Sequence, residues 1–209
     1  LVETQPELVA QHYTAAGCAE PAILYWQRAG QRALQGSAHA EAMAHLTQGL
    51  AVLTTLPETP ARLQQELDLQ VALGTALRAT KGNAAPEVEH AYGRARELCA
   101  QRGDTPQLFP VLRGLMLYYQ NRGDLQTVSQ LGEQVLRLAQ AQPDPAHLLL
   151  AHFMLGNVLF WRGEPAAAQT HHTQALALYD PQAHRALAVR DGIDLGVASH
   201  NWLARELWY

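Results

Sequence analysis

The sequence predicts an all-α protein: a right-handed α-solenoid of helix-turn-helix repeats, stacked in chain order. Three observations carry that reading. Ala, Leu and Gln supply 88 of the 209 residues, while the strand-favouring Val, Ile, Thr and aromatics are sparse. Helix start and stop signals recur at roughly 20-residue intervals. One pattern of small and bulky positions returns at intervals of 40 to 44 residues.

The elements follow in order. Pro6 suits a first turn, and an apolar rhythm runs from it to Gly17. A second helix spans Glu20 to Gln35 and stops at Gly36-Ser37. The third, Ala38 to Leu56, keeps Ala42, Leu46, Leu50 and Leu53 on one face and stops at Pro57. The fourth, Ala61 to Thr80, carries Leu63, Leu67, Val71, Ala72 and Leu77 and ends at Gly82-Asn83. Pro86 opens the fifth, with Val88, Tyr92, Ala95 and Leu98 on one face, ending near Arg102-Gly103. Asp104-Thr105-Pro106 reads as a cap for the sixth, which runs to Asn121. The turn Arg122-Gly123-Asp124 leads into the seventh, Leu125 to Ala141, stopped by Pro143 and Pro145. The eighth, Ala146 to Trp161, and the ninth, Pro165 to Tyr179, flank the turn Arg162-Gly163-Glu164. Gln182 to Gly196, with Asp191-Gly192 and Asp194, reads as a short helix plus loop, and a last helix starts near Val197. No run alternates as a strand would.

The repeat is clearest from Leu67 to Pro181. Leu155-Gly156 and Leu159 precede the turn at Gly163, followed by Ala168, His172 and Ala175. The same series appears as Leu115-Met116, Tyr119, Gly123, Val128, Gly132 and Val135, and again as Leu73-Gly74, Leu77, Val88, Tyr92 and Ala95. A weaker copy holds Gly30, Ala33, Ser37, Ala42, Leu46 and Gly49. A small residue on the first helix lets the second lie close, and a bulky residue on the second fills the space between neighbours. The expected units are 19–56, 61–102, 105–141 and 146–181 of one array covering 1–209, then an irregular 182–196 and the first helix of a further unit at 197–209. Both chain ends read as cuts through a longer polypeptide.

This spacing resembles the tetratricopeptide repeat in a long form of about 40–46 residues, giving about four pairs plus partial terminal helices. The Trp that the family carries near the start of each first helix is absent, and its closing Pro is approximate. The runs "QHYTAAGCAEPAILYWQRAGQRALQGSAHAEAMAHLTQGL", "ATKGNAAPEVEHAYGRARELC", "PQLFPVLRGL" and "HTQALALYDPQAH" look like the repeat region of large bacterial STAND-type signalling ATPases. Proteins of that group carry a class III adenylate or guanylate cyclase, a kinase or a DNA-binding domain first, the ATPase next and the repeats last. The resemblance implies a cytoplasmic signalling context and a protein or peptide partner, including the parent's own ATPase or cyclase domain. It places no catalytic residue in this segment.

Charge and motifs narrow the chemistry. Fifteen basic against nineteen acidic residues give a net charge of −4, with no basic footprint for nucleic acid or an anionic membrane. Cys18 and Cys99 form neither a disulfide framework nor a metal knuckle, and no apolar run is long enough to span a bilayer. No phosphate-cradling glycine loop and no nucleophile elbow occurs, so no cofactor is expected. Of ten histidines, His39/His45, His147/His152 and His171/His172 all miss the i,i+3 or i,i+4 spacing of a helical metal site, and His172 falls at a bulky packing position. His171, His184 and His200 would need tertiary folding to converge.

What remains is a binding surface. In the repeat family the inner wall is lined by first-helix positions, which carry over to Gln27 and Gln31, Thr75 and Arg78, Arg113 and Gln120, Phe153, Asn157 and Phe160, and Asn201, Arg205 and Trp208, flanked by Asn121 and Trp161. Arg and amides clamp peptide backbone or carboxylate, and aromatics supply anchor area. The competing readings are a spacer or homo-oligomerisation module, with Trp202, Leu203, Leu207 and Trp208 as the contact, and a hydrolase or metal site hidden in Gln182 to Gly196.

Overall fold

A computed structural model describes residues 5–103, 106–141, 144–185, 187–188 and 193–208. Among them are ten helices and no strand: α1 Pro6–Ala15, α2 Ala19–Gln35, α3 His39–Leu53, α4 Pro60–Lys81, α5 Pro86–Arg102, α6 Leu108–Arg122, α7 Leu125–Ala141, α8 Pro145–Trp161, α9 Pro165–Leu178 and α10 Leu195–Glu206. No helix of the described residues is long and apolar enough to cross a membrane. The chain forms two compact units, residues 1–121 and 122–209.

The helix boundaries follow from cap chemistry. Pro6, Pro60, Pro86, Pro145 and Pro165 occupy first-turn positions, where the missing N–H costs nothing. Thr59 Oγ1 accepts from Arg62 N at 3.2 Å, Asp144 Oδ1 from Ala146 N at 2.9 Å and Asp194 Oδ1 from Val197 N at 3.0 Å. Because Asp194 is a working N-cap, the last helix opens at Leu195, two residues before the expected start. The third helix stops at Leu53 rather than Leu56, where Thr54 and Thr55 hydroxyls bond back to Ala51 and Val52 carbonyls and residues 54–56 form a turn. The turn at Gly163 places that residue at φ +80°, which a side chain disfavours. The Asp104-Thr105 cap, the stop at Pro143, Asp191-Gly192 and the end at Tyr209 lie outside the described residues.

Within the first unit α1 packs on α2, α2 on α3, α3 on α4 and α4 on α5, and α2 also touches α4. Ile23, Ala42, Leu46, Leu53, Leu69 and Ala76 form one buried cluster; Ala10, Ala22 and Trp26 form another. The small-against-bulky rule governs the closest approaches. Leu46 of α3 packs on Gly30 of α2, and Tyr92 of α5 lies on Gly74 of α4 and Gly114 of α6. A Cβ at either of the last two glycines would meet the ring at 2.6 or 2.5 Å.

In the second unit α7 packs on α8, α8 on α9, and α10 on both α9 and α8. Helix α8 is buried from Leu149 through Val158, so its sequence is apolar on nearly every face. His172 of α9 sits on Gly156 of α8, and Tyr179 sits on Gly196 of α10.

Candidate functional site

The most unusual chemistry in the molecule lies where α8, α9 and α10 meet. A histidine occupies the bulky position of this hairpin, so a polar ring enters an apolar layer and both its nitrogens need partners. His172 and Glu206 have side chains wholly removed from solvent, with Nδ1 2.5 Å from Glu206 Oε1. His172 Nε2 is 3.1 Å from Asn157 Oδ1. The amide oxygen only accepts, so Nε2 carries the ring proton and Nδ1 is bare when the ring is neutral. Glu206 must then donate its own proton to Nδ1. Burial pushes both groups the same way, toward neutrality: it lowers His172 from 6.5 to about 4, against an opposing Phe153 backbone contact, and raises Glu206 from 4.5 to about 7.

Aromatic rings complete the clasp. Trp202 stacks on His172 with centroids 6.1 Å apart and planes 8° apart, and Phe153 meets the imidazole edge-on at 5.9 Å. Phe160 and Trp161 lie edge-on to Trp202 at 5.2 and 6.0 Å, and the Arg205 guanidinium lies 5.0 Å over its ring. The outer side of this layer is open. Trp161 is 56% exposed, Trp208 is 88% exposed, and Asn201 and Arg205 are exposed beside them.

The structure thus separates the second-unit candidates into two roles. Phe153 and Asn157 are buried and serve the clasp; Phe160 is half-buried; Trp161, Asn201, Arg205 and Trp208 face solvent. In the first unit several candidates are occupied by local bonds. Thr75 Oγ1 bonds Val71 O at 3.1 Å and lies 3.3 Å from the Tyr92 hydroxyl. Arg78 Nε donates to Asn83 Oδ1 at 2.8 Å, and Asn121 Nδ2 to Leu117 O at 2.8 Å. Gln27, Arg113 and Gln120 are half-buried, and Gln31 is exposed. A separate open groove of about 530 Å³ runs between α1 and α3, lined by Gln11, Thr14, Ala15, Trp26, Ala44, His45 and Gln48.

Other histidines pair without forming a centre. His152 and His171 bring their Nδ1 atoms to 3.0 Å with centroids 5.2 Å apart, so the rings point end to end and share a hydrogen bond rather than aim at a third point. Burial lowers the pKa of both, each further depressed by a neighbouring histidine. His184 Nδ1 accepts from Asp180 N at 3.0 Å. Among the described residues no three His, Cys, Asp or Glu side chains gather closely enough to hold a metal ion. Glu206 and His172 have the order of an acid–histidine relay, but Nε2 faces an amide oxygen in a sealed layer instead of a nucleophile.

Glu206 is the functional residue that sequence reasoning missed. Its signal was the α10 spacing Ser199, Trp202, Glu206, which puts two polar groups and an indole on the face turned to α8 and α9. No family model matches the sequence, and no curated protein matches it.

Proposed function

We propose that this chain is a non-catalytic protein-interaction and sensing segment of a bacterial signal-transduction regulator. It binds a peptide, a ligand or the neighbouring ATPase domain, and biases that switch through a difference in affinity between its states. One observation carries the reading. Trp161, Asn201, Arg205 and Trp208 present indole, amide and guanidinium groups to solvent from helices locked together by the buried His172 layer. Trp and Arg are the side chains that most often supply binding energy at interfaces, and a rigid support lowers the ordering cost. The narrower assignment, to tetratricopeptide-like repeats of STAND-type ATPases of the cyclase-linked kind, draws support from the quoted segments and from helices packed on their chain neighbours.

The test is a titration of the chain with the parent's ATPase domain as a separate polypeptide. The pair Trp161→Ala, Arg205→Ala is expected to weaken binding at least about tenfold, or about 1.4 kcal/mol, while the chain stays folded with a lowered melting transition, because both side chains face solvent but also rest on the Trp202 ring. Unchanged affinity removes this surface from the reading; no binding by the wild-type chain removes the intramolecular partner.

A second reading is favoured by exposed apolar side chains at Val197, Leu207 and Trp208, which are 70, 73 and 88% accessible. In that reading the surface joins two copies of the chain. Light scattering decides it: a dimer that Trp208→Asp dissolves supports self-association, and a monomer at high concentration ends it.

A further inference from the structure

We infer that docking α10 against α8 and α9 moves one proton inside the chain, from His172 Nδ1 to Glu206 Oε1, so that the pair enters the core neutral and docking exchanges no net proton with mildly acidic solvent. The geometry carries it. The nitrogen that gives up the proton is the one 2.5 Å from the carboxyl oxygen. The nitrogen that keeps its proton is the one 3.1 Å from Asn157 Oδ1. The N–H bond at Nδ1 breaks, the O–H bond at Oε1 forms, and that hydroxyl donates back to the bared nitrogen. Both side chains are fully buried, and Glu206 Oε2 has no hydrogen-bond partner, which a protonated carboxyl tolerates better than a carboxylate.

The other ionisable groups on these three helices fit this account. On α8 and α9, His152 and His171 are spent on each other. His147, near the start of α8, lies 3.5 Å from Asp144. On α10, Arg205 lies over the Trp202 ring and His200 is exposed.

The sign of each half is opposite. His172, depressed to about 4, weakens docking as pH falls below 6.5, because only the undocked ring can then take a proton. Glu206, raised to about 7, weakens docking as pH rises above 4.5, because only the undocked carboxyl can then lose one. Between 4.5 and 6.5 the docked pair holds one proton on Glu206 and the undocked pair holds one on His172. The two slopes cancel. A pair that looks like a pH switch therefore makes the packing of α10 indifferent to pH between 4.5 and 6.5, and each partner conceals a switch in the other. On the proposed function, this keeps the Asn201 and Arg205 surface in place across that mildly acidic window, though the proton shift stands without a partner.

The test is hydrogen exchange at the amides of residues 199–206 in the full chain, corrected for the intrinsic rate. In the wild type, protection is expected to stay level from pH 4.5 to 6.5. Glu206→Gln supplies a neutral donor to Nδ1 and leaves His172 uncompensated, so protection should fall by up to about tenfold per pH unit below 6.5. A sloped wild type or a level Glu206→Gln overturns the inference. Should the variant fail to dock α10 at any pH, the neutral-donor reading is overturned as well. The imidazole ¹⁵N spectrum of the wild type at about pH 5.5, inside that window, gives an independent answer. A neutral ring protonated at Nε2 is expected, and a doubly protonated ring contradicts it.

Discussion

Tyr92 on α5 lies over Gly74 on α4 so closely that a Cβ on the glycine would come within 2.6 Å of the ring. The ring is buried, and its opposite neighbour Gly114 is as close, so it has nowhere to move. Gly74→Ala gains up to about 1 kcal/mol in helix propensity but overpacks the layer at a cost of about 1–3 kcal/mol. Net destabilisation is expected in chemical denaturation, with Tyr92→Leu restoring part of it in the double variant. A Gly74→Ala chain as stable as the wild type would show that the hairpin contact is looser than described.

The Ser37 position tests the turn chemistry. Its φ of 57° lies in the left-handed region, where the corresponding turns use Gly123 and Gly163. A side chain there costs about 1–2 kcal/mol, partly offset by the greater entropy that glycine loses on folding. Ser37→Gly is therefore expected to stabilise the chain by up to about 1 kcal/mol, read as a higher denaturation midpoint.

Arg94 connects a buried and an exposed carboxylate: its Nε lies 2.6 Å from Glu66 and its Nη1 3.1 Å from Glu97. These bonds raise its pKa, Glu66 first. Glu66 is 11% exposed at its side chain and Glu97 66%. Arg94→Ala strands the Glu66 charge and should cost about 2–3 kcal/mol, whereas Glu97→Ala should cost under about 1 kcal/mol. Equal losses would contradict this division.

Asp194 provides a pH test outside the buried pair. The Val197 N–H and then the Tyr179 hydroxyl hold its carboxyl below the ordinary 3.8. A depressed carboxyl contributes stability above that value and loses it as pH falls. Asp194→Ala removes the α10 cap and should cost about 1 kcal/mol at neutral pH. The gap between variant and wild type should close on acidification below pH 3.8, measured by denaturant titration at neutral pH and again below that value.

The helices were legible because prolines, glycines and acidic caps punctuate a helix-rich chain, and the pairs Gly30–Leu46, Gly74–Tyr92 and Gly156–His172 were legible because the repeat aligns them. The role of Asn157 was not. Its position suits an inner-wall amide, but the imidazole behind it turns that amide inward. Glu206 was hidden for a related reason: a glutamate near a helix end ordinarily belongs to water, and only the unmet nitrogen of a buried His172 gives it cause to be inside. Among the expected surface residues, Arg78 and Asn121 are bound to their own loop or helix, which a linear pattern does not reveal.

On the function proposed above, recognition takes place on the face carrying Trp161, Asn201 and Arg205. Hydrogen exchange of the full chain with and without an ATPase domain of the proposed STAND type tests this most directly. Added protection is expected at the end of α8 and along α10; protection confined to α1–α5 would contradict it.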